Sequence, residues 1–142
     1  MQRESVAKIL LVNDQNQALI LRTGTYREHP EKEHKPDLPG GLVDPGESEH
    51  QAVIRETQEE AGVTVDPARV VLGYAETRFY PDEAKSVSKL LYVARLPKTP
   101  EVVISWEHEA YEWVDIATIL DTHEFRPFYK EAIVYLKSNQ LI

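Results

Sequence analysis

The chain has 142 residues, of which 16 are Lys or Arg and 24 are Asp or Glu, so its formal net charge is −8. Hydrophobic residues make up 42% and charged residues 28%, which suits one globular domain over residues 1–142. The absence of cysteine excludes disulfides, thiol catalysis and thiolate metal sites, and the acidic balance argues against a general nucleic-acid binder. No apolar run approaches the ~20 residues of a membrane span, so we expect no membrane partner and a cytoplasmic location.

Apolar periodicity and turn residues predict a mixed sheet covered by helices, which is an α/β fold. Residues 6–12 and 18–21 are predicted strands joined by a polar turn, and residues 24–37 are predicted to form an exposed loop. A predicted helix over residues 48–61 ends at Gly62, which suits a C-cap. The remaining predicted elements are a hairpin of strands 69–80 and 86–96, a strand at 111–114, and helices at 116–120 and 127–138.

The predicted helix 48–61 follows a glycine-rich turn and carries a cluster of carboxylates. Glu56, Glu59 and Glu60 are spaced i, i+3 and i+4, so they share one helical face. The adjacent arc of the helix is one that the fold can bury; it holds Val53, Ile54, Thr57 and Ala61. Like charges this close repel each other, and a hard divalent cation with oxygen ligands turns that repulsion into a binding site.

Residues 41–63 resemble the Nudix box, the signature of hydrolases that act on nucleoside diphosphates linked to another moiety. Eight specified positions match at the correct spacing, namely Gly41, Glu47, Arg55, Glu56, Glu59, Glu60, Gly62 and Val63. Thr57 departs from the pattern, because an aliphatic residue is usual there, but it is not a ligand position. This shared register argues against a merely solvated acidic helix face. The resemblance implies the Nudix fold, an α/β/α sandwich in which helices flank a mixed sheet.

The resemblance also implies a Mg²⁺-dependent pyrophosphohydrolase, with Mn²⁺ as a substitute. Water would attack a phosphorus of a nucleoside di- or triphosphate, or of a nucleotide conjugate. The implied metal ligands are Glu56, Glu59 and Glu60, joined by a carbonyl oxygen of Gly40 or Gly41. Glu59 and Glu60 are also candidate catalytic residues, and the family does not fix which residue is the general base.

Nudix proteins often add a metal-binding glutamate from a loop outside the box. Glu107 resembles that position and is preferred over Glu109 as a metal ligand and catalytic residue, although spacing alone leaves both open. His108 is expected to lie in the same loop and not to bind metal. The other four histidines are predicted to be solvated; they are His29, His34, His50 and His123.

Two further groups of residues have predicted roles. Glu47 and Arg55 are assigned to structure, because an Arg fork onto the carboxylate would brace the glycine turn against the helix. Arg22, Arg27 and Arg78 are candidates for binding substrate phosphates. Tyr80 is a further substrate candidate, since diadenosine-tetraphosphate hydrolases of this family carry a tyrosine near that place, but an aromatic residue at a strand end is the simpler interpretation.

Three functional hypotheses therefore stand at this point. The first is hydrolysis of a nucleotide-type small molecule, and a dinucleoside-polyphosphate hydrolase is its narrower alternative. A catalytically silent Nudix domain that senses nucleotides is the third hypothesis, and it is ranked low because no box glutamate is missing. A homodimer is also envisaged.

Overall fold

Seven strands and three α-helices make up the structure, which is a computed structural model describing residues 1–142. The strands are β1 (Gln2–Val12), β2 (Gln17–Thr23), β3 (Pro36–Asp37), β4 (Gly40–Leu42), β5 (Val71–Tyr80), β6 (Lys85–Arg95) and β7 (His108–Asp115). The helices are α1 (Glu49–Ala61), α2 (Ile119–Thr122) and α3 (Pro127–Ser138), with short 3₁₀ turns between several elements. None of the helices combines the length and apolar character that crossing a membrane requires.

The seven strands form one mixed sheet with β1 at its centre. β1 pairs in parallel with β6 along its whole length, from Gln2 opposite Lys85 to Val12 opposite Arg95. β5 continues the sheet as the antiparallel neighbour of β6, and β7 pairs antiparallel with β2. The short strand β4 pairs with the first half of β1, which places Gly40 opposite Lys8. The sheet thus brings the glycine turn to the middle of the fold.

Both faces of the sheet are covered, as the side chains of β1 show. Ile9 and Leu11 belong to the core that includes residues of α1, whereas Leu10 and Val12 belong to the core that includes residues of α3. All four side chains are fully buried. An uninterrupted apolar run is expected for a central strand with a helix on each side. The predicted α/β/α sandwich is therefore confirmed.

Helix α1 ends at the predicted residue and begins one residue later than predicted, because Ser48 caps it from outside. Ser48 is the N-cap of a capping box, in which its hydroxyl accepts from the N–H of Gln51 at 3.1 Å and its own N–H donates to the Gln51 side chain at 2.9 Å. Gly62 ends the helix with φ = 67°, a left-handed conformation that favours glycine. Thr57 is buried, and its hydroxyl donates to the carbonyl of Val53 at 2.6 Å, so the helix accommodates a polar group in the core.

The predicted elements differ from the structure mainly at strand ends. Residues 36 and 37 are not part of an exposed loop, because they form β3 and are buried. His108 is likewise a buried residue in a strand and not a loop residue, since β7 begins there and pairs with β2. β1 begins at Gln2, four residues before the predicted start, because its polar first residues pair with β6. Each difference arises from pairing with a neighbouring strand, which the pattern of apolar residues does not reveal.

Candidate active site

The glycine turn lies between the central strand and helix α1. Gly40 has φ = 131°, and a Cβ atom there would lie 2.1 Å from the carbonyl oxygen of Ala7, so only glycine fits. A Cβ atom on Gly41 would lie 3.1 Å from the carboxylate carbon of Glu56. The turn therefore holds its backbone directly against the carboxylate of the helix.

Arg55 connects this turn to the helix. Its Nε donates to Oε2 of Glu47 at 3.1 Å, and its Nη2 donates to Oε1 of the same carboxylate at 2.6 Å, which is a bidentate fork. Its Nη1 donates to Glu56 and Glu59, each at 3.1 Å. Glu47 also accepts from the backbone N–H of Asp44 at 2.8 Å, so the fork reaches the loop itself. The predicted brace thus has the geometry it requires, and its contribution to stability is a prediction for experiment.

The three box glutamates do not share one environment. Glu56 and Glu60 line the same cavity, whereas the side chain of Glu59 is 58% exposed, is bonded to Arg55 and lies outside that cavity. Glu60 is buried, and its Oε2 has no hydrogen-bond partner. Burial, together with the neighbouring Glu56 and Asp37 carboxylates, raises the pKa of Glu60 to about 8 despite the nearby Lys8 charge. The structure therefore assembles a carboxylate pair, not a trio.

This cavity has a volume of about 690 Å³, within the range of small-molecule sites. Its walls are rich in charge of both signs. The acidic residues that line it are Asp37, Glu56, Glu60, Glu76 and Glu107. The basic residues are Lys8, Lys32, Arg78, Lys89 and Arg126, and the aromatic ones are Tyr26, Phe128 and Tyr129.

A buried carboxylate, Asp37, organises one wall of the cavity. Its Oδ1 accepts from the Tyr129 hydroxyl at 2.7 Å, from Arg126 at 3.2 Å and from the Lys8 ammonium at 3.3 Å. Its Oδ2 lies 2.9 Å from Nε2 of His108. Burial alone would raise the pKa of Asp37, but the Lys8 charge and the hydrogen bonds from His108 and Tyr129 hold it well below its usual range.

Lys8 links this carboxylate to the glycine turn. Its ammonium donates to the carbonyls of Leu38 at 3.1 Å and Gly40 at 3.0 Å as well as to Asp37. Burial opposes the charge, yet Tyr129, Asp37 and Glu60 keep the pKa of Lys8 above its ordinary value. Lys8 is therefore a largely buried cation on β1, with 14% of its side chain exposed, and it contacts β3, β4 and Leu38 between them. None of the sequence patterns singled out Lys8 or Asp37, although a lysine in an apolar strand was a usable signal.

The loop before β7 brings Glu107, but not Glu109, to the cavity. Glu107 lines the cavity, while Glu109 lies outside it with Oε1 2.7 Å from Nδ1 of His34. Alternation along an extended chain would place Glu107 and Glu109 on one side and His108 on the other. The chain is not extended here, because residues 106 and 107 form a turn, and the β2–β7 register shifts between Arg22 and Thr23.

The predicted substrate residues separate into different places. Arg78 lines the cavity and pairs with Glu76 at 3.0 Å. Arg22 does not line it, because its guanidinium donates to the carbonyl of His34 at 2.8 Å on another surface. Arg27 lines a neighbouring depression, and Tyr80 lies at the exposed end of β5, outside the cavity. The structure thus brings only Arg78 of these four to the carboxylate pair.

Lys32, Lys89 and Arg126 are cationic cavity residues that the sequence did not single out. The ammonium groups of Lys32 and Lys89 have no hydrogen-bond or ion-pair partner, and that of Lys89 lies 5.7 Å from the centre of the Phe128 ring. Nε of Arg126 is buried and unpartnered. Burial and the positive charge of Arg126 lower the pKa of Lys89. These cations face the cavity with spare capacity for an anion.

The histidines divide between solvent and fold. His29 and His34 are exposed, as predicted. His123 is not freely solvated, since only 9% of its side chain is exposed and its ring bonds to Glu112 and Thr122. His50 is half-buried, and its Nε2 lies 3.1 Å from a carbonyl oxygen in the segment after α1. The predictions for His50 and His123 fail for the same reason. Contacts between elements of the fold cover these rings with partners that no recognisable spacing in the sequence predicts.

The NUDIX domain family profile matches residues 1–136 of this chain. The chain belongs to the Nudix family. An asymmetrical bis(5'-nucleosyl)-tetraphosphatase of Caenorhabditis elegans is 40% identical over 78 residues, which are 55% of this chain and 56% of that protein. The chain thus matches about half the length of that relative.

Solved structures share the fold over nearly the whole chain. The crystal structure of a MutT protein from Methanosarcina mazei Go1 superposes with a TM-score of 0.78 and 24% identity, covering 97% of this chain and 96% of that one. A binary complex of a C. elegans Ap4A hydrolase superposes with a TM-score of 0.66 and 26% identity, covering 97% and 98%. These comparisons extend the Nudix assignment from the box to both sides of the sheet.

The Nudix helix offers a hard cation an incomplete set of oxygen ligands. The buried Oε2 of Glu60 lacks a hydrogen-bond partner, and Glu56 lies beside it at the glycine turn. No three His, Cys, Asp or Glu side chains converge into a closed metal cage. Mg²⁺ is often held by one or two carboxylates with waters and substrate phosphates. The residues present therefore fit a divalent cation that is completed by a phosphate ligand.

Proposed function

We propose that this Nudix protein hydrolyses a phosphoanhydride bond in a nucleoside di- or triphosphate or in a nucleotide conjugate. One observation carries the proposal. A single cavity contains the Glu56–Glu60 carboxylate pair together with Lys32 and Lys89, two cations that lack carboxylate partners. Such a cavity matches a divalent cation and a chain of phosphates bound side by side.

The cation is proposed to be Mg²⁺, with Mn²⁺ as a substitute, and Glu56 and Glu60 would hold it. Glu107 from the facing loop and the carbonyl of Gly40 are proposed as further ligands; the Gly40 carbonyl would bind the cation through its second lone pair, since Lys8 donates to it at 3.0 Å. Glu59 would join them only if its side chain left Arg55, to which it is bonded at 3.1 Å. When bound, the cation would offset charge on the phosphates and lower the pKa of a water molecule.

The chain's own residues would orient and neutralise the phosphates. Lys89 and Arg126 present positive charge to the cavity, and Arg78 adds a third cation that is already paired with Glu76. Lys8 donates to the carbonyl of Gly40 and so fixes the turn that faces Glu56. Rigid placement of this kind contributes to catalysis by holding reacting groups in a productive geometry. Glu59, Glu60 and Glu107 are proposed as the catalytic carboxylates, and Glu60 is the most enclosed of the three.

A substrate panel with Mg²⁺ tests the proposal. Nucleoside triphosphates, a dinucleoside tetraphosphate and ADP-ribose would be incubated with the protein, and the products separated by anion-exchange chromatography. We expect cleavage of at least one compound into two phosphate-bearing products, no reaction in EDTA, and ¹⁸O from labelled water in one product. Glu60→Gln should lower turnover on the order of 100-fold, and Glu101→Gln, a change at an exposed position that does not line the cavity, should match wild type. Absence of turnover with both Mg²⁺ and Mn²⁺ would contradict the proposal.

The C. elegans relative is a bis(5'-nucleosyl)-tetraphosphatase, which supports a dinucleoside polyphosphate as the narrower substrate. Faster cleavage of diadenosine tetraphosphate than of ATP would favour that alternative. Saturable nucleotide binding without any turnover would instead favour a nucleotide-sensing domain. We further propose a cytoplasmic location and a homodimer, which fractionation of cells and light scattering of the purified protein would test.

A further inference from the structure

A second depression opens beside the cavity that holds the carboxylate pair. It has a volume of about 420 Å³, and Tyr26, Arg27, Trp106 and Glu107 lie in its wall. Tyr26 and Glu107 also line the larger cavity. A ligand that places phosphates near Glu107 can therefore continue into this depression without leaving the surface.

Trp106 is the most exposed large hydrophobic residue of the chain. Trp106 is 91% exposed, whereas the other tryptophan, Trp113, is half-buried and packs against the core that includes residues of α1. The indole N–H of Trp106 has no hydrogen-bond partner, and no aromatic ring packs on it. Large aromatic side chains usually bury their area, so an open indole at the rim of a cavity is available to a ligand.

The loop that carries Trp106 is tethered on both sides. The N–H of Ser105 donates to the carbonyl of Glu60 at 3.0 Å, and the carbonyl of Glu107 accepts from the N–H of Gly24 at 3.3 Å. The N–H of His108 donates to the carbonyl of Ser105 at 3.2 Å, which closes the turn. These bonds hold the backbone of residues 105–108 in place, so Trp106 lies in the wall of the second depression directly beside Glu107, which lines both.

Tyr26 and Arg27 approach from the opposite loop. The backbone N–H of Tyr26 donates to Oε1 of Glu33 at 2.9 Å, which holds the loop in place. The side chain of Arg27 is exposed and makes no hydrogen bond or ion pair. The depression thus offers two aromatic surfaces, a phenol hydroxyl and a free guanidinium. Aromatic faces stack on nucleobases, and hydroxyl and guanidinium groups hydrogen-bond to base edges.

We propose that Trp106 and Tyr26 form a nucleobase subsite, in which the base of a bound nucleotide stacks on the indole while its phosphates extend past Glu107 into the larger cavity. This inference rests on the proposed function only for the position of the phosphates. It assigns base recognition to the loop before β7, and not to Tyr80 at the end of β5.

Binding of AMP and of ribose 5-phosphate separates the base from the rest of the nucleotide. Neither compound contains a phosphoanhydride, so the measurement does not depend on turnover. We expect AMP to quench Trp106 fluorescence saturably in the Trp113→Phe variant, and calorimetry on the wild-type chain to show at least fivefold weaker binding of ribose 5-phosphate. Trp106→Ala should weaken AMP binding roughly tenfold, as for loss of one stacking platform, while Trp106→Phe retains most of it. Val103→Ala, at an exposed position outside both depressions, is the matched control.

Equal affinity for AMP and ribose 5-phosphate, or unchanged AMP binding in Trp106→Ala, would overturn the inference. So would a blue shift of Trp106 emission with rising protein concentration and no response to AMP, because a second copy would then cover the indole. The inference and the proposed function fail separately. If the protein bound AMP more tightly than ribose 5-phosphate but hydrolysed no nucleotide, the subsite would stand and the proposed hydrolase activity would fall. If it hydrolysed nucleotides and Trp106→Ala left KM unchanged, the hydrolase activity would stand and the subsite would fall.

Discussion

Replacement of Asp37 by Asn tests whether the buried carboxylate stabilises the fold. The side chain of Asp37 is 7% exposed and receives Tyr129 at 2.7 Å, Arg126 at 3.2 Å and Lys8 at 3.3 Å. Removing one partner of a buried ion pair costs about 3–5 kcal/mol, because the other charge stays buried. The carbonyls of Leu38 and Gly40 would still solvate Lys8. We therefore expect Asp37→Asn to lower the free energy of unfolding by about 3 kcal/mol, the lower end of that range.

Urea unfolding at pH 7, followed by circular dichroism and by tryptophan fluorescence, measures this change. A loss of about 3 kcal/mol corresponds to a melting temperature lower by roughly 10 °C for a domain of this size. Asp82→Asn is the matched control, since Asp82 is exposed in the turn between β5 and β6, and a surface change of this kind is usually within about 0.5 kcal/mol. If Asp37→Asn and Asp82→Asn unfolded at the same urea concentration, the stabilising role of the Asp37 contacts would be refuted.

The same pair of proteins has a predicted pH dependence. The pKa of Asp37 in the folded protein is held below its ordinary value of 3.8. A carboxyl group with a lowered pKa contributes stability above its unfolded pKa and loses that contribution as the pH falls toward the folded one. The difference in unfolding free energy between wild type and Asp37→Asn should therefore be constant near neutral pH and shrink below about pH 4. A difference that grew on acidification would contradict the assignment of charge to Asp37.

Four further predictions concern Glu60, Arg55 and the loop glutamate Glu107. Glu60→Gln should fold normally but lower turnover on the order of 100-fold. The affinity of the wild-type protein for Mg²⁺ should rise as the pH increases toward and above 8, because Glu60 has a pKa of about 8 and its proton competes with the metal. Calorimetric titration with Mg²⁺ at pH 6 and at pH 8.5 measures this difference. Arg55→Ala should lower the melting temperature by a few degrees and reduce activity, and an unchanged melting curve would show that its fork onto Glu47 is not structural. Glu107→Gln should lower turnover at least tenfold at saturating Mg²⁺, which corresponds to about 1.4 kcal/mol in the activation barrier. Glu109→Gln should keep turnover within about threefold of wild type. If initial-rate assays gave the reverse ranking, Glu109 would be the catalytic carboxylate of this loop.

Local interactions explain which parts of the fold were predictable. Helix α1 runs over Glu49–Ala61, one residue shorter than the predicted 48–61, and Gly62 is its C-cap as expected, because its caps are satisfied by residues within three or four positions of each end. Helix α3 runs over Pro127–Ser138, the predicted range, because its apolar residues recur at helical spacing and proline begins it. The hairpin of β5 and β6 also follows from a short turn between two β-rich runs.

Side-chain partners at long sequence separation explain what the sequence did not reveal about the site. Asp37 meets Lys8 across 29 residues, His108 across 71 and Tyr129 across 92. No spacing rule connects such positions, because sheet register and helix docking bring them together. The position of Glu59 outside the cavity likewise depends on how α1 docks on the sheet, because its helical spacing places it next to Glu56 and Glu60 and does not say which of the three faces the cavity.

Residue types at fixed short spacings were enough to predict the Nudix family, the helix that carries the carboxylates and the glycine turn before it. The tertiary structure decided which carboxylates face one cavity and which cations oppose them. It also decided that a turn and a register shift, not simple alternation, place Glu107 at the cavity and leave Glu109 outside. The physical reason is that local patterns fix the conformation of an element, whereas a binding site is made by the contacts between elements, and those depend on how the whole chain packs.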